Sequence, residues 1–434
     1  MNKSDTERIL GMLAHFGYEE VKEPKEADLL MINTCSIRQL SADKAYSYLG
    51  VWGKRKKKNP ALKIAMCGCV AQQDKEAIFK KAPYVDLVFG THNIYELPEL
   101  IKRMNNGEKV LAVDETPYPS VERFEIARTQ GINAWIPIIE GCDNFCTYCI
   151  VPYTRGRERS RKPETIINEA KNALANGFKE ITLLGQNVDS YGKDCNTTLA
   201  ALLKELNALE GEFRIRFVTS YPTDITDELI ETVKNCDKVC EYFHIPMQSG
   251  NSAILKAMNR RYTREEYFKI AEKIRNSFED VTITSDFIAG FPGETEEQFL
   301  DTLSAIEELG LDYSNTAAYS SRELTVAARW EDKFIGEDIK KERLERLNAK
   351  NREACLKSNK KYIGKTLEVL VESYEDLAYE DIAVGNCPPY RGKTILKGRA
   401  RNNKIVHFEG GKNLVGKFVN VVIKDAKTWH LLGN

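Results

Sequence analysis

Three cysteines spaced Cys142-x3-Cys146-x2-Cys149 constrain this chain more than any other feature. They follow a strand-like apolar run, Ile136-Pro137-Ile138-Ile139, and their loop ends at Pro152. Three thiolates so spaced can wrap one corner of an iron–sulfur cube and hold three of its irons, leaving the fourth open to a small molecule. Zinc is the rival metal, but a closed structural zinc site wants a fourth ligand close by. None of the five histidines, His15, His92, His244, His407 and His430, is near in sequence.

The chain holds eleven cysteines, an odd and clustered set, which in an unsecreted protein points to metal or redox chemistry rather than a disulfide framework. Cys195, Cys236, Cys240 and Cys355 read as small buried hydrophobes, and Cys387 as a loop thiol. No run approaches the ~20 apolar residues of a membrane span and no signal peptide pattern is present, so the expectation is a cytoplasmic protein without membrane contact. A formal net charge of −1 excludes wholesale basic coating of nucleic acid, so any RNA contact must come from local patches.

Hydrophobic patterning divides the 434 residues into three domains, 1–115, 128–360 and 361–434. In the first, strand-like runs at 27–35, 63–66 and 85–89 alternate with helical stretches such as 42–58, which predicts a doubly wound α/β layer with a parallel sheet. Ser4 and Glu7 read as a capping box for a helix over 5–17. The domain opens on that helix with no strand before it, so a missing N-terminal segment is expected. Residues 109–134 read as a connection broken by Pro117 and Pro119. Candidate strands then recur at 135–139, 180–184, 214–219, 241–245, 281–288 and 313–319, with helical patterns over 163–176, 264–276 and 294–309. Six such units suit a partial (β/α)6 barrel, whose chemistry gathers at the carboxyl ends of the strands. A charged helix over 339–360 leads to short β runs at 366–372, 404–408 and 418–423, as in a small all-β barrel.

The CxxxCxxC triplet after the first barrel strand resembles the radical S-adenosylmethionine (SAM) superfamily. That resemblance implies a [4Fe–4S] cluster whose open iron chelates SAM and an electron transfer that yields a 5′-deoxyadenosyl radical, with Tyr148 near the adenine. The run from Glu140-Gly141-Cys142 to Arg155-Gly156-Arg157-Glu158-Arg159-Ser160-Arg161 is similar to the methylthiotransferases. So are Leu184-Gly185-Gln186-Asn187, Ile245-Pro246-Met247-Gln248-Ser249-Gly250, Met258-Asn259-Arg260-Arg261-Tyr262 and Gly290-Phe291-Pro292-Gly293-Glu294-Thr295. Each has a physical use. Gly185 and Gly250 let backbone approach a ligand closely, Gln186, Asn187 and Gln248 supply neutral donors and acceptors, and Arg260 or Arg261 can fork onto a carboxylate. Loop packing is the competing explanation for all of them. Arg155, with Arg157, Arg159 and Arg161, is either a solvated face or a set of RNA phosphate contacts.

Asn33-Thr34-Cys35-Ser36-Ile37-Arg38 and Gly68-Cys69-Val70-Ala71-Gln72 resemble the N-terminal methylthiotransferase domain, in which three cysteines hold an auxiliary [4Fe–4S] cluster that supplies sulfur. Cys35 and Cys69 each close a predicted strand, at the edge where open α/β sheets place ligands. The family's first cysteine would lie two residues upstream of Met1, with Cys67 as the alternative third ligand. At the other end, Gly398-Arg399-Ala400-Arg401-Asn402-Asn403-Lys404 through Phe408, with Gly416-Lys417-Phe418-Val419, resembles a TRAM RNA-binding domain. Lys393, Lys397, Arg399, Arg401 and Lys404 form a basic patch there, while Phe408 reads as core and 374–389 is longer and more acidic than such a module needs. The basic run Lys54-Arg55-Lys56-Lys57-Lys58 is either a helix end or an RNA contact.

The resemblance implies two [4Fe–4S] clusters, SAM, and methylthiolation at C2 of N6-isopentenyladenosine in a tRNA anticodon stem-loop. It implies a monomer reduced by flavodoxin or ferredoxin. Ser321 and Leu324 stand where the family has a proline and a glycine, so a threonylcarbamoyladenosine substrate stays open, as does a ribosomal-protein aspartate. A non-catalytic iron–sulfur RNA-binding protein is the reading from a different class.

Overall fold

Short apolar runs separated by helices build the first sheet, β1 (Leu29–Thr34), β2 (Lys63–Gly68), β3 (Leu87–Phe89) and β4 (Val110–Ala112), all parallel and in chain order. The computed structural model describes residues 1–36, 39–114, 126, 128, 131–376 and 394–434. The expectations on Ile37, Arg38, Pro117, Pro119, Cys387 and Lys393 therefore lie outside the described residues. Helices cover both faces of the sheet, as a parallel sheet requires. Ile9, Met12, Leu100 and Met104 pack on one face, and Leu49, Val70 and Ile78 on the other. β4 falls in the stretch expected to be a connection, because three residues are too few to show a period.

The first helix, Asn2–His15, has no capping box. Ser4 and Glu7 are buried inside it. Its start is tied instead to the end of β1: Asn2 Nδ2 donates to Thr34 O at 2.7 Å and Asn33 Nδ2 donates to Asn2 O at 2.9 Å.

Met1–Gln130, Glu140–Arg159 and Ser320–Ala328 form one compact unit, so the cysteine loop belongs with the N-terminal sheet. Gly131–Ile139, Ser160–Tyr319 and Arg329–Asn434 form the other. In the second unit β5 (Asn133–Pro137), β6 (Glu180–Leu184) and β7 (Arg214–Phe217) make one parallel sheet. β8 (Tyr242–His244), β9 (Thr282–Ala289) and β10 (Tyr313–Ala318) make another. A parallel bridge from Ile215 to Val239 and a hydrogen bond from Ser220 N–H to His244 O, 2.9 Å, join them into one six-stranded open barrel wall. Strand alternation sorts the side chains. Ile181, Leu183, Ile215, Phe217 and Phe243 enter the helix-side core. Thr182, Arg214, Arg216, Tyr242 and His244 alternate with them and so face the barrel interior. Thr263 with Glu266, and Thr295 with Gln298, form the capping boxes of the helices Arg264–Ser277 and Glu296–Leu309.

The last strands are β11 (Thr366–Asp376), β12 (Thr394–Ala400), β13 (Ile405–Glu409), β14 (Phe418–Ala426) and β15 (Leu431–Gly433). They close into a small barrel in the order β11-β12-β13-β15-β14 around Val369, Leu396, Val406, Phe408 and Val421. Two buried arginines at the start of β7 hold this barrel against the amino ends of the larger wall. Arg214 donates to Arg399 O at 2.8 Å and to Glu368 Oε1 at 2.7 Å. Arg216 donates to Arg401 O at 2.6 Å and Ala400 O at 2.7 Å, and its Nε meets Glu180 Oε2 at 2.7 Å. Among the described residues no helix is long and apolar enough to cross a membrane.

Candidate active site

The loop that carries the cysteine triplet is wrapped by its own backbone. Gly141 has φ +83°, and a Cβ there would lie 2.0 Å from Arg157 O, so glycine is required. Phe145 is also left-handed at φ +47°. Cys142 N–H donates to Gly156 O at 3.2 Å and Cys149 N–H to Cys146 O at 2.9 Å. Cys142, Cys146 and Cys149 are each half-buried. Asn144 Nδ2 donates to Cys142 Sγ at 3.5 Å, a contact that suits a sulfur carrying negative charge on iron. Burial pushes the Cys142 thiol up to about 11 although the Asn144 backbone N–H pulls the other way, so metal binding here displaces a proton. Among the described residues no three His, Cys, Asp or Glu side chains gather about a single metal-ion position. Three thiols on one loop, with no histidine beside them in the sequence, fit a cube bound at three irons better than a closed tetrahedral ion site.

The second cysteine group is set by strand register. Thr34 pairs with Gly68 across β1 and β2, so Cys35 and Cys69 are the next residues of neighbouring parallel strands, at the carboxyl edge of the sheet. Gly68 turns the chain at φ +89° with Thr34 O only 2.5 Å from where a Cβ would stand, and Cys69 then opens the helix Cys69–Asp74. Cys67 is placed differently. It is wholly buried in the core with Ile9 and Met12, where burial pushes its thiol well above the ordinary range. Ser36 Oγ, next to Cys35 in the chain, is buried without a hydrogen-bond partner among the described residues. Buried polar atoms are rarely left so. An orphaned hydroxyl beside Cys35 fits a polar group held at that edge.

The arginines after the triplet do not form one face. Arg155 is buried and its Nη2 lies 2.7 Å from Asp5 Oδ2. Arg159 meets His92 Nδ1 at 3.1 Å, and Arg161 is buried against Glu169 at 2.7 Å. Arg157 alone is well exposed, beside Asp143 at 2.7 Å. Arg155 is thus corrected from an RNA contact to an interior ion-pair partner.

In the second unit the residues expected to touch SAM stand at the carboxyl ends of the barrel strands. The close approaches at Gly185 and Gly250 are to the chain itself: a Cβ would lie 2.6 Å from Ile139 Cγ2 in the first case and 2.3 Å from Asp301 O in the second. Gln186 is half-buried. Asn187 is buried and donates through Nδ2 to Asp224 Oδ2 at 2.6 Å, while its Oδ1 has no partner among the described residues. Gln248 sits at φ +76°, with its N–H on Asp286 O at 2.8 Å. Arg260 lies over the rings of Tyr221 and Tyr262, at 4.3 and 5.0 Å, and donates to Tyr262 OH at 2.7 Å. Tyr148 belongs to the first unit, where the neighbouring Thr147 O accepts from Ala327 N–H at 2.8 Å. The segment that holds Ser321 and Leu324 therefore packs beside the cysteine loop.

Two acidic side chains at these strand ends were not expected. Asp189 is buried and takes a hydrogen bond from Ser220 Oγ at 3.1 Å; burial pushes its carboxyl up to about 8. Asp286 meets His244 Nε2 at 3.3 Å and accepts from Asn315 Nδ2 at 2.9 Å. Burial pushes its carboxyl up, but these partners outweigh that and hold it below the usual range. A lone acid inside a strand or turn pattern carries no sequence signal for such roles.

On the small barrel two further expectations are corrected. Arg401 grips Glu241 at 2.8 Å and Val239 O at 2.7 Å, and Lys404 is buried on Ser358 Oγ at 2.8 Å and Asp312 at 3.2 Å. Both hold the barrel to the larger wall. Arg399 stays half-exposed beside Glu372 at 3.1 Å.

Three family models match this chain. Residues 136–306 match the radical SAM superfamily, 1–90 an uncharacterised family designated UPF0004, and 360–434 the TRAM domain. A tRNA-2-methylthio-N(6)-dimethylallyladenosine synthase from Clostridium beijerinckii is 45% identical over 438 residues, covering 100% of this chain and 93% of the relative. One of the same name from Clostridium perfringens (strain SM101) is 46% identical over 439 residues, covering 100% and 95%. Among solved structures, the radical SAM methyltransferase TsrM from Kitasatospora setae, with cobalamin and a [4Fe–4S] cluster bound, matches in fold. Its TM-score is 0.54 at 14% identity, over 69% of this chain and 65% of that one.

Proposed function

Since the chain belongs to the radical SAM methylthiotransferases, in the family of tRNA-2-methylthio-N6-dimethylallyladenosine synthases, we propose that it methylthiolates C2 of N6-isopentenyladenosine beside the anticodon of a tRNA. The observation that carries this reading is the wrapped triplet Cys142, Cys146 and Cys149, in a chain matched from end to end by those relatives. When bound, one [4Fe–4S] cluster with SAM supplies the radical that an aromatic C–H bond requires, and a second supplies the sulfur.

The chain's own residues divide the remaining work. Cys142, Cys146 and Cys149 hold the first cluster, with Asn144 directed at the Cys142 sulfur. Cys35 and Cys69 hold the second, at the sheet edge. In the first unit Tyr148 would serve the SAM adenine; in the second, Arg260 would offer a guanidinium to a carboxylate, and Gly185, Gln186, Asn187 and Gln248 are the candidate SAM contacts beyond the strand ends. Arg399, half-exposed beside Glu372, and the exposed Lys417 are the small barrel's contacts for the phosphates of the anticodon stem-loop. The target base must be swung out of its stack to reach a barrel mouth. The electron donor is a flavodoxin or ferredoxin, and the enzyme is a cytoplasmic monomer.

Mass spectrometry of tRNA nucleosides from cells with and without the gene tests the substrate. Loss of 2-methylthio-N6-isopentenyladenosine with gain of its unthiolated precursor is the expected result. Loss of the methylthio group from the threonylcarbamoyl nucleoside instead would overturn the substrate and leave the family intact.

A further inference from the structure

Beyond the carboxyl ends of β9 and β10 the second unit gathers four aromatic side chains. Phe291 lies on the turn Gly290-Phe291-Pro292-Gly293 that follows β9, and Tyr319 directly follows β10. Tyr319 N–H donates to Ala289 O at 2.8 Å, which ties the two strand ends together. Gly290 makes the turn at φ +72°, where a Cβ would lie 2.4 Å from Lys340 Cγ. Gly293 N–H donates to Lys333 O at 2.9 Å and so lays residues 330–334 against that turn. The rings meet mostly edge to face. Phe291 meets Tyr319 at 5.6 Å and 80°, and Trp330 at 5.9 Å and 86°, while Phe334 is tilted on Tyr319 at 6.0 Å.

The cluster runs from core to solvent. Phe291 and Tyr319 are buried, Trp330 is half-buried, and Phe334 is 41% exposed. A lone exposed ring is ordinary on a protein surface. This one is the outer end of a continuous aromatic wall, on the face of the barrel where chemistry gathers. Polar groups share the same rim: Gln248 bridges Phe287 of β9, and its O accepts from Ile288 N–H at 2.9 Å. Apolar lining with a few placed polar groups is the composition of a small-molecule site. Lys333 is exposed and holds its Nζ 5.5 Å from the centre of the Trp330 ring, on a flexible stem that a ligand can displace.

We propose that Trp330 and Phe334, backed by Phe291 and Tyr319, are the specificity residues that receive the branched alkenyl group on N6 of the target adenosine. This inference rests on the tRNA substrate reading given above. An isopentenyl group has neither charge nor hydrogen-bonding atoms, so only apolar surface can recognise it. A threonylcarbamoyl group carries a carboxylate and a hydroxyl, and burying these against rings without partners is costly. The wall therefore selects the isopentenylated adenosine over both the unmodified and the threonylcarbamoylated one.

The test is fluorescence anisotropy on the full chain with synthetic anticodon stem-loops that differ only at the target adenosine: unmodified, isopentenylated and threonylcarbamoylated. The parent should bind the isopentenylated loop more tightly than the other two. Phe334→Ala and Trp330→Ala should each reduce that preference by about tenfold, with affinity for the unmodified loop kept at the parent value. Phe334→Leu should keep most of the preference, because apolar volume is retained. A preference unchanged in both alanine variants would overturn the proposal. So would an equal loss of affinity for all three loops, which is the mark of disturbed packing. Should Trp330→Ala fail to fold, the exposed Phe334 still decides it through its alanine and leucine variants. A parent that favours the threonylcarbamoyl loop, or no loop, overturns the substrate reading and this inference with it. A parent preference that survives both alanine variants removes the aromatic wall alone and leaves the substrate standing.

Discussion

In the unit that carries the cysteines, buried arginines meet carboxylates: Arg155 on Asp5 at 2.7 Å and Arg8 on Glu140 at 3.6 Å. In the other unit Arg214 and Arg216 make four of their six hydrogen bonds to main-chain carbonyls of Glu368, Arg399, Ala400 and Arg401, and the other two to Glu368 and Glu180 carboxylates. The chemistry of the partners differs. A carboxylate brings a charge that depends on which side chain is present, so the first arrangement depends on the identity of both partners. A carbonyl is carried by every residue, so the second fixes a shape. Nothing in the sequence marks these arginines apart: Arg8 lies in a helix, Arg155 in a loop, and Arg214 and Arg216 in a strand.

Four substitutions put this contrast under strain. Cys146→Ala should reduce SAM cleavage to 5′-deoxyadenosine by more than about a hundredfold and leave tRNA affinity unchanged. Unaltered cleavage would return the chain to the class of non-catalytic iron–sulfur RNA-binding proteins. Arg216→Met strands the buried Glu180 carboxylate, whose side chain is 2% exposed, and should cost about 3–5 kcal/mol in urea denaturation. A cost below about 1 kcal/mol would mean that the seam does not depend on that guanidinium.

Asp189 gives a pH-dependent case. Its folded pKa of about 8 is raised above that of an ordinary aspartate, so the folded state holds the proton longer than the unfolded one. Stability is therefore lost as pH rises from the unfolded pKa toward 8 and is flat beyond it. Asp189→Asn removes that loss. The stability gap between variant and parent should widen with pH in that window, by at most about 1.4 kcal/mol per pH unit, and a constant gap would show that Asp189 ionises as an exposed aspartate does. The smallest effect is expected at Arg157, whose side chain is 72% exposed: Arg157→Gln should change stability by less than about 0.5 kcal/mol, where Arg155→Gln costs several times more.

The layer architecture was legible because periodicity survives in long elements: β6 and the helix Pro163–Ala175 fall within a residue or so of their expected bounds. β4 and β15, three residues each, carry no period and were not expected. The cysteine triplet was legible from spacing alone, because its three cysteines share one loop. Cys35 and Cys69 were legible as the ends of expected strands, and the register of β1 on β2 adds that they are neighbours. Basic residues misled for a related reason. Whether Arg155, Arg401 or Lys404 faces solvent depends on Asp5, Glu241 and Asp312, each far away in the chain. The apparent capping box at Ser4 and Glu7 failed because both side chains are buried and the helix begins at Asn2.

The grip of Arg214 and Arg216 on peptide oxygens has a consequence for how such a molecule can be remodelled. That part of the joint is blind to side chains, whereas Arg401 on Glu241 and Lys404 on Asp312 fix two residues of the turn. The outward residues of β12, β13 and β14 can be rewritten wholesale while the attachment keeps its form. One catalytic body can therefore accept a succession of RNA-reading heads, provided each presents a turn of the same path to the start of β7.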